Sequence, residues 1–229
     1  MNKIRYDVYG PVHKGIRFLM TEIMYELGRA DVTIIPELTS LEEKLQYLWD
    51  VLEAHAAGEE EFLFPHLEKG DIIIYKKLKA AHEKFYEQIE ILRNEFLKIS
   101  GAEMGVDEKE EELPEFIRHY NTFLSQYFSH MQDEELEANP ILWKALSDEE
   151  LMVIVPKIAS KIAPNIMQYF MAYFLRAINY KERLGMLMGM QKNVPEPMFT
   201  GILDIAESSL EETNWQKLKQ TLDKLIQVH

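Results

Sequence analysis

The sequence predicts an all-α protein, with an up-down-up-down four-helix bundle over residues 1–147 and a helical extension over residues 148–229. Apolar residues recur every three or four positions through four long segments, which is the spacing of a buried helix face. Glycines and prolines separate these segments, and none of them alternates as a strand would. Two of the segments carry a His-x-x-x-Glu motif on the apolar face itself, so the predicted core contains polar residues.

The first two helices are predicted from Pro11, which suits a first helical turn, and from the capping-box pattern Ser40 to Glu43. Gly28 ends the first helix. The buried face of the first helix reads His13, Ile16, Met20, Ile23, Leu27, and that of the second reads Leu41, Leu45, Leu48, Leu52, His55, Glu59, Phe62.

The third and fourth helices show the same periodicity between stops at Gly70 and Gly101. Three consecutive isoleucines at 72–74 could suggest a strand, but they run directly into the helical pattern and are assigned to the third helix. The two faces read Leu78, His82, Phe85, Ile89, Leu92, Phe96, and Leu113, Phe116, Tyr120, Phe123, Tyr127, His130, Glu134.

The extension is predicted to contain helices near residues 148–162, 164–190 and 210–227, with a break at Val194 to Pro197. Capping boxes at Ser147 and Ser209 mark two of the starts. A wide apolar face predicts contact with the bundle or with a second subunit; its residues are Ile166, Met167, Phe170, Met171, Phe174 and Ile178. A methionine-rich group is interpreted as core filling rather than as a soft binding surface; it consists of Met186, Met188, Met190 and Met198.

Six candidate metal ligands lie on the predicted buried faces: His13, His55, Glu59, His82, His130 and Glu134. A single histidine on an apolar face is usually a hydrogen-bonded core residue. Two buried carboxylates, however, need a compensating positive charge, which a pair of metal ions would supply. In an antiparallel bundle the starts of the first and third helices meet the ends of the second and fourth, so the six residues can share one layer.

The ordered pattern of His, His-x-x-x-Glu, His, His-x-x-x-Glu resembles the hemerythrin-like HHE cation-binding family, in its wider bacterial and eukaryotic form. The segments from Glu59 to Pro65 and from Glu134 to Leu142 are also similar to that family, and the resemblance covers roughly residues 5 to 147. It implies two iron ions with an oxo or hydroxo bridge. His13 and His55 would bind one iron, His82 and His130 the other, and Glu59 and Glu134 would bridge both. Manganese or zinc also suits imidazole and carboxylate ligands.

Two departures distinguish this chain from the oxygen-carrying hemerythrins. Those carriers have a further histidine on the third helix, where this chain has Tyr86, and a His-x-x-x-x-Asp spacing where this chain has His130 and Glu134. Four histidines and two carboxylates leave more coordination positions for water or an exogenous ligand. These departures argue against reversible oxygen storage.

Several neighbouring residues are candidates for secondary roles. Tyr86 and Tyr127 lie within a turn of His82 and His130, and each is either a hydrogen-bond donor to a ligand at the metal or an ordinary core tyrosine. Glu60 and Glu135 are interpreted as solvated flanking residues rather than as groups that orient the histidines. The remaining histidines are interpreted as helix-end or surface residues: His66, His119 and His229.

Composition excludes several classes of protein. The chain has no cysteine, which rules out disulfides, iron–sulfur clusters and thiolate zinc sites. Its 39 acidic and 25 basic residues give a formal net charge of −14, which argues against nucleic acid as a partner. The first residues lack a signal-peptide pattern and no apolar run approaches a membrane span, so a cytoplasmic protein with no membrane partner is expected.

Three functions are compatible with these observations. The favoured one is a non-heme di-iron protein that binds dioxygen, nitric oxide or peroxide for sensing, carriage or iron handling. The alternatives are a di-iron enzyme that acts on peroxide or another oxidant, and a helical interaction protein braced by its metal. No catalytic residue is assigned from the sequence. Besides the small ligand, a second copy of the chain is an expected partner, bound through the carboxy-terminal helices.

Overall fold

The computed structural model describes residues 5–226, and within that range it consists of helices and short turns without a strand. The all-α prediction is therefore confirmed for these residues. The first part of the chain forms α1 (Gly10–Leu27), α2 (Ile35–Phe62), the short α3 (Phe64–Gly70), α4 (Ile72–Ser100) and α5 (Val106–Asp133). His229, which the sequence places at the surface, lies outside the described residues.

The four long helices, α1, α2, α4 and α5, form a bundle in which neighbouring helices are antiparallel. Between α1 and α2, His13 contacts His55 and Glu26 pairs with Lys44, so residue numbers rise along one helix as they fall along the other. The same reversal relates α2 to α4, through the pairs Glu60–His82 and Glu53–Arg93. It relates α4 to α5 through His82–His130 and Glu95–His119. It relates α5 and the segment after it to α1 through Glu135–His13 and Tyr120–Met20.

The hydrophobic core follows the apolar faces predicted from the sequence. All the apolar residues of the four predicted faces are buried except Phe62, which is half-buried near the end of α2. Trp49, which lies beside the predicted stripe of α2, fills the centre of the bundle and packs edge-on against Tyr120 and Phe123. The polar residues on the same faces are thereby held inside the protein.

Two predicted helix starts are wrong. The second helix begins at Ile35, not near Ser40, because Pro36 supplies a first-turn residue whose missing N–H costs nothing there. Ser209 ends a helix rather than capping the next one. Ser147 does form the predicted capping box, since its side chain accepts the Glu150 N–H while Glu150 accepts the Ser147 N–H.

After a π-helical segment (Glu134–Ala138), the chain continues as α6 (Asn139–Ala145), α7 (Asp148–Ala159), α8 (Pro164–Ala177), α9 (Tyr180–Asn193), α10 (Glu196–Ser209) and α11 (Glu212–Ile226). The single helix predicted over 164–190 is wrong, because Asn179 accepts the N–H groups of Lys181 and Glu182 and so starts a new helix. The predicted break at Val194 to Pro197 matches the start of α10, a helix that the sequence analysis did not predict.

The extension packs on the bundle through two glycines. A Cβ atom on Gly15 of α1 would lie 2.9 Å from Phe170 Cζ and 3.2 Å from the Cα of Phe174, both in α8. A Cβ atom on Gly58 of α2 would lie 2.6 Å from Cγ2 of Ile158 in α7. These helices approach each other closely because the glycines lack side chains.

Helices α9 to α11 form a further hydrophobic cluster together with Met171 and Leu175 of α8, and it includes Trp215. Met186, Met188 and Met190 pack against this cluster, whereas Met198 is exposed. None of the helices within residues 5–226 combines the length and apolar character needed to cross a bilayer. The boundary at residue 147 and homodimerisation through the extension stay predictions.

We expect Gly15→Leu to lower the free energy of unfolding by about 2 to 3 kcal/mol, because the new side chain collides with Phe170 and the backbone of Phe174. In a chain of this size the midpoint temperature, Tm, falls by about 2–4 °C per kcal/mol. Thermal unfolding followed by circular dichroism measures the change.

The matched control is Gly189→Leu, since nothing lies within 4 Å of the Cβ position at Gly189 in α9. This change should leave stability unaltered or raise it by up to about 1 kcal/mol through helix propensity. Equal effects of the two substitutions would contradict the close approach of α8 to α1.

Candidate metal centre

The structure brings all six predicted ligand residues together at one end of the bundle, and each is at most 5% exposed. His13 lies in the first turn of α1, His55 and Glu59 lie in the last turns of α2, and His130 and Glu134 lie where α5 gives way to the π-helical segment. Antiparallel packing places these helix ends in one layer.

His82 reaches the same layer although it lies about three turns into α4. The reason is that α3 continues the chain past the end of α2, so α4 starts beyond the layer of the site and runs back through it. Leu78 of α4 packs there with Phe64 and Leu67 of α3 in a small second core. This second core closes the end of the bundle beneath His82.

Glu134 is shared between two groups of potential ligand atoms. The first group is His13, His55, Glu59 and Glu134, and the second is His82, His130 and Glu134; within each group the ligand atoms lie within 4.8 Å of one another. Glu134 Oε2 lies 3.3 Å from His13 Nε2, while its Oε1 lies 3.0 Å from His130 Nε2 and 3.5 Å from His82 Nε2. One carboxylate thus faces both groups.

Glu59 is placed in a comparable way from the opposite helix. Its Oε1 lies 3.1 Å from His55 Nε2, and its Oε2 lies 3.5 Å from His82 Nε2. Each carboxylate therefore has one oxygen beside a histidine of each group. Glu134 thus belongs to both groups, whereas Glu59 belongs to the first and lies beside His82 of the second.

Buried polar atoms in this centre lack hydrogen-bond partners among the described residues. They include both carboxylate oxygens of Glu59 and of Glu134, together with Nε2 of His13 and of His55. Such atoms each cost about 1–3 kcal/mol unless another group satisfies them. Imidazole nitrogen and carboxylate oxygen without thiolate form a donor set that divalent iron, manganese and zinc all accept, so the residues fit a metal cation.

The two carboxylates respond differently to burial. Burial raises the pKa of Glu59 well above its usual range, and the negative charge on Glu134 raises it further. Burial acts on Glu134 in the same sense, but its contacts with His130, His13 and His82 outweigh burial and hold the pKa of Glu134 well below its usual range. Without a cation, these surroundings favour ionisation of Glu134 and protonation of Glu59.

The histidines are also perturbed. Burial lowers the pKa of His55 to about 3, and the charge on His13 contributes in the same sense. For His13 and His82, burial would lower the pKa, but the nearby carboxylates of Glu134 and of an outer glutamate raise it overall. His55 is thus a neutral imidazole, which is the form that binds metals.

Two outer glutamates, Glu60 and Glu135, orient histidines, and the interpretation of them as solvated flanks is wrong. His82 Nδ1 lies 3.0 Å from Glu60 Oε1, and His13 Nδ1 lies 2.9 Å from Glu135 Oε1. Each glutamate directly follows a shared glutamate in the chain, and this position turns its side chain toward the adjacent helix. Such bonds fix the ring so that Nε2 faces the centre.

The outer glutamates have different second partners. Arg17 Nη1 donates to Glu135 Oε1 at 2.7 Å, whereas the Tyr86 hydroxyl donates to Glu60 Oε1 at 3.3 Å. The Tyr86 hydroxyl therefore bonds to a carboxylate that is not among the six candidate metal ligands. Tyr127 is buried, with its ring 5.8 Å from that of His130.

Tyr9 is a residue of the site that the sequence analysis did not identify. It is 1% exposed, its ring centroid lies 5.5 Å from that of His13, and its hydroxyl lacks a hydrogen-bond partner among the described residues. The spacing of four to His13 was an available signal, but Tyr9 precedes the helix start at Gly10. On the other side, Phe64 stacks on His82 at 4.9 Å.

The π-helical segment begins at Glu134 and is stabilised by the Asn139 N–H, which donates to the Glu134 carbonyl. Its sequence signal is Pro140, which cannot donate to the Leu136 carbonyl and would clash with it in an α-helix. A wider turn avoids this conflict. Segments of this kind often occur at functional sites.

The remaining described histidines lie outside the centre. His119 is exposed and pairs with Glu95 and Glu115, as expected for a surface residue. His66 is half-buried within α3. Neither belongs to a group of potential metal ligands among the described residues.

We expect Glu59→Gln to raise the Tm of the metal-free protein at pH 7.5 but not near pH 4.5. Because folding raises the pKa of Glu59, the metal-free protein loses stability as the pH rises above the usual carboxyl pKa, and glutamine removes that loss. Each kcal/mol recovered corresponds to about 2–4 °C. Thermal unfolding in chelator across this pH range measures the difference.

A suitable control is Glu43→Gln, an exposed glutamate of the same helix, which should leave the Tm unchanged at both pH values. If Glu59→Gln destabilised the metal-free protein at pH 7.5, burial of the Glu59 carboxyl would not be what destabilises the metal-free fold.

Comparison with known proteins gives one family. A family model for the hemerythrin HHE cation binding domain matches residues 7–142, a range that includes all six buried histidine and glutamate residues of the centre. No curated protein and no solved structure matches the chain. The resemblance inferred from the sequence is confirmed, and the buried cluster has the donor atoms that a metal ion needs. The chain belongs to the hemerythrin HHE cation-binding domain family.

Proposed function

We propose that this protein holds two iron ions in the buried cluster and binds dioxygen, nitric oxide or peroxide there. His13 and His55 would serve one ion, His82 and His130 the other, with Glu59 and Glu134 shared. The observation that carries the proposal is that each buried carboxylate has one oxygen beside a histidine of each group. The helical bundle, histidines and shared carboxylates favour iron, and manganese or zinc would suit the same atoms.

When bound, the iron pair supplies redox chemistry and open coordination positions for a small ligand. The protein's own residues prepare the site for that role. Glu60 and Glu135 hold His82 and His13 by Nδ1, which leaves Nε2 of each ring directed inward. Phe85 packs 5.2 Å from His130 and helps to exclude water from this side of the cluster.

The proposed biological role is sensing, carriage or iron handling in the cytoplasm. An alternative is a di-iron enzyme that acts on peroxide or another oxidant, which the buried tyrosines Tyr9 and Tyr127 beside the histidines would favour. A third possibility is an interaction protein whose metal braces the bundle. These functions share the cluster and differ in what happens after the metal is bound.

We expect protein loaded anaerobically with ferrous iron to contain about two irons per chain, as in other helical di-iron sites. Glu134→Ala should lose both ions because this carboxylate faces both groups, and His55→Ala should lose at least the ion of its own group. Elemental analysis after desalting measures the content. His119→Ala, a surface control, should keep the full content.

Circular dichroism of each variant separates loss of metal from loss of fold. Wild-type protein without metal, or metal content that Glu134→Ala leaves unchanged, would contradict the proposed centre. With iron present, a visible band that responds to azide or nitric oxide supports ligand binding. Sustained turnover of peroxide would support the enzyme instead, and metal without any ligand response would support the interaction protein.

We expect Glu135→Ala and Glu60→Ala each to weaken metal binding by about 10- to 100-fold, because the histidine that each carboxylate orients becomes free to rotate. Competition with a coloured chelator measures the affinity. Glu137→Ala is the matched control, since Glu137 pairs with Lys77 at the surface near Glu135. If Glu135→Ala and Glu60→Ala bound metal as tightly as Glu137→Ala, the outer glutamates would have no effect on metal binding.

A further inference from the structure

The hydroxyl of Tyr9 has an unusual environment. Tyr9 is 1% exposed, and its hydroxyl is buried without a hydrogen-bond partner among the described residues. A buried tyrosine normally pairs its hydroxyl, because leaving such a group unpaired costs free energy. The nearby Asp7 bonds to other groups, since its Oδ1 accepts from the N–H groups of Tyr9 and Gly10 and from the Asn139 side chain.

The surroundings of Tyr9 point to the metal centre. Its ring lies 5.5 Å from that of His13, with the two planes inclined by 31°. A tyrosine hydroxyl carries its proton at neutral pH, so this group is available as a donor.

Tyr86 and Tyr120 of the bundle differ from Tyr9 in this respect. The hydroxyl of Tyr86 donates to Glu60, and that of Tyr120 donates to the Met20 carbonyl. On the opposite half of the centre, the ring stacked on the corresponding histidine, His82, is that of Phe64, which has no hydroxyl. The ring beside His13 thus carries a free hydrogen-bond donor, whereas the ring stacked on His82 carries none.

We infer that the Tyr9 hydroxyl donates a hydrogen bond to a small ligand, bound on the His13–His55 side of the centre, that carries an accepting nitrogen or oxygen atom. Azide and the oxygen-derived ligands belong to this class. Tyr9 would then determine which ligands bind tightly, by favouring those that can accept its proton. This inference rests on the proposed metal centre.

The test compares Tyr9→Phe with Tyr120→Phe in iron-loaded, oxidised protein. We expect Tyr9→Phe to keep the iron content and to lower azide affinity, measured per bound iron by optical titration, by about 10-fold or more, the loss typical of a hydrogen bond to a charged group. Tyr120→Phe removes a hydroxyl that donates to the backbone and should leave azide affinity unchanged.

A second measurement does not depend on the metal. In chelator, Tyr9→Phe should leave the Tm unchanged or raise it, because it removes a buried hydroxyl that has no partner in the protein. Tyr120→Phe should lower the Tm because it leaves the Met20 carbonyl unpaired. A fall for Tyr9→Phe as large as that for Tyr120→Phe would overturn the inference, since the hydroxyl would then have a structural partner.

The outcomes separate this inference from the proposal on which it rests. Unchanged azide affinity in an iron-loaded Tyr9→Phe protein overturns the role of Tyr9 and leaves the metal centre standing. Wild-type protein that binds no metal overturns the proposed function, and the inference about Tyr9 falls with it.

Discussion

Burial of Glu59 and Glu134 side by side is the constraint on which the rest of this end of the molecule depends. Two carboxylates that share a dry site cannot both ionise without a compensating charge. The histidines supply that charge in part and unequally, since they lower the pKa of Glu134, whereas burial and the charge on Glu134 raise the pKa of Glu59. A metal pair would allow both carboxylates to ionise, so the metal-free fold contains an electrostatic cost that metal binding would remove.

The centre is built from two similar halves whose surroundings differ. In each half a His-x-x-x-Glu segment ends shortly before a proline, and the following glutamate bonds to a histidine of a neighbouring helix in the bundle. One outer glutamate is held by the guanidinium of Arg17, the other by the hydroxyl of Tyr86. A full positive charge withdraws more electron density from a carboxylate than a phenol does. The two histidine pairs are therefore inequivalent as ligands, even though their residue types match.

Periodicity predicted the core and the six buried polar residues, because burial along one helix depends only on that helix's own residues. Periodicity could not predict hydrogen bonds between side chains of different helices. Glu60 and Glu135 lie off the apolar face of their own helices and gain their role from His82 and His13. The break before α9 was missed because apolar residues continue across it, although Asn179 and Glu182 form a capping box. Pro140 indicated a helix end, but a widened turn that keeps the helix going needs the packing of α6 to be known.

The extension and the centre cannot be treated as separate parts. Gly15 and Gly58 lie in the same helical turns as His13 and Glu59, and at these glycines α8 and α7 press against the backbones of α1 and α2. Close-packed helices transmit displacement because no space is left to absorb it. The spacing between α1 and α2 at the level of the centre is thus fixed from outside the bundle as well as by the core. Any shift of α7 or α8 would move helices that carry His13, His55 and Glu59, so the geometry of the first group depends on residues far away in the sequence.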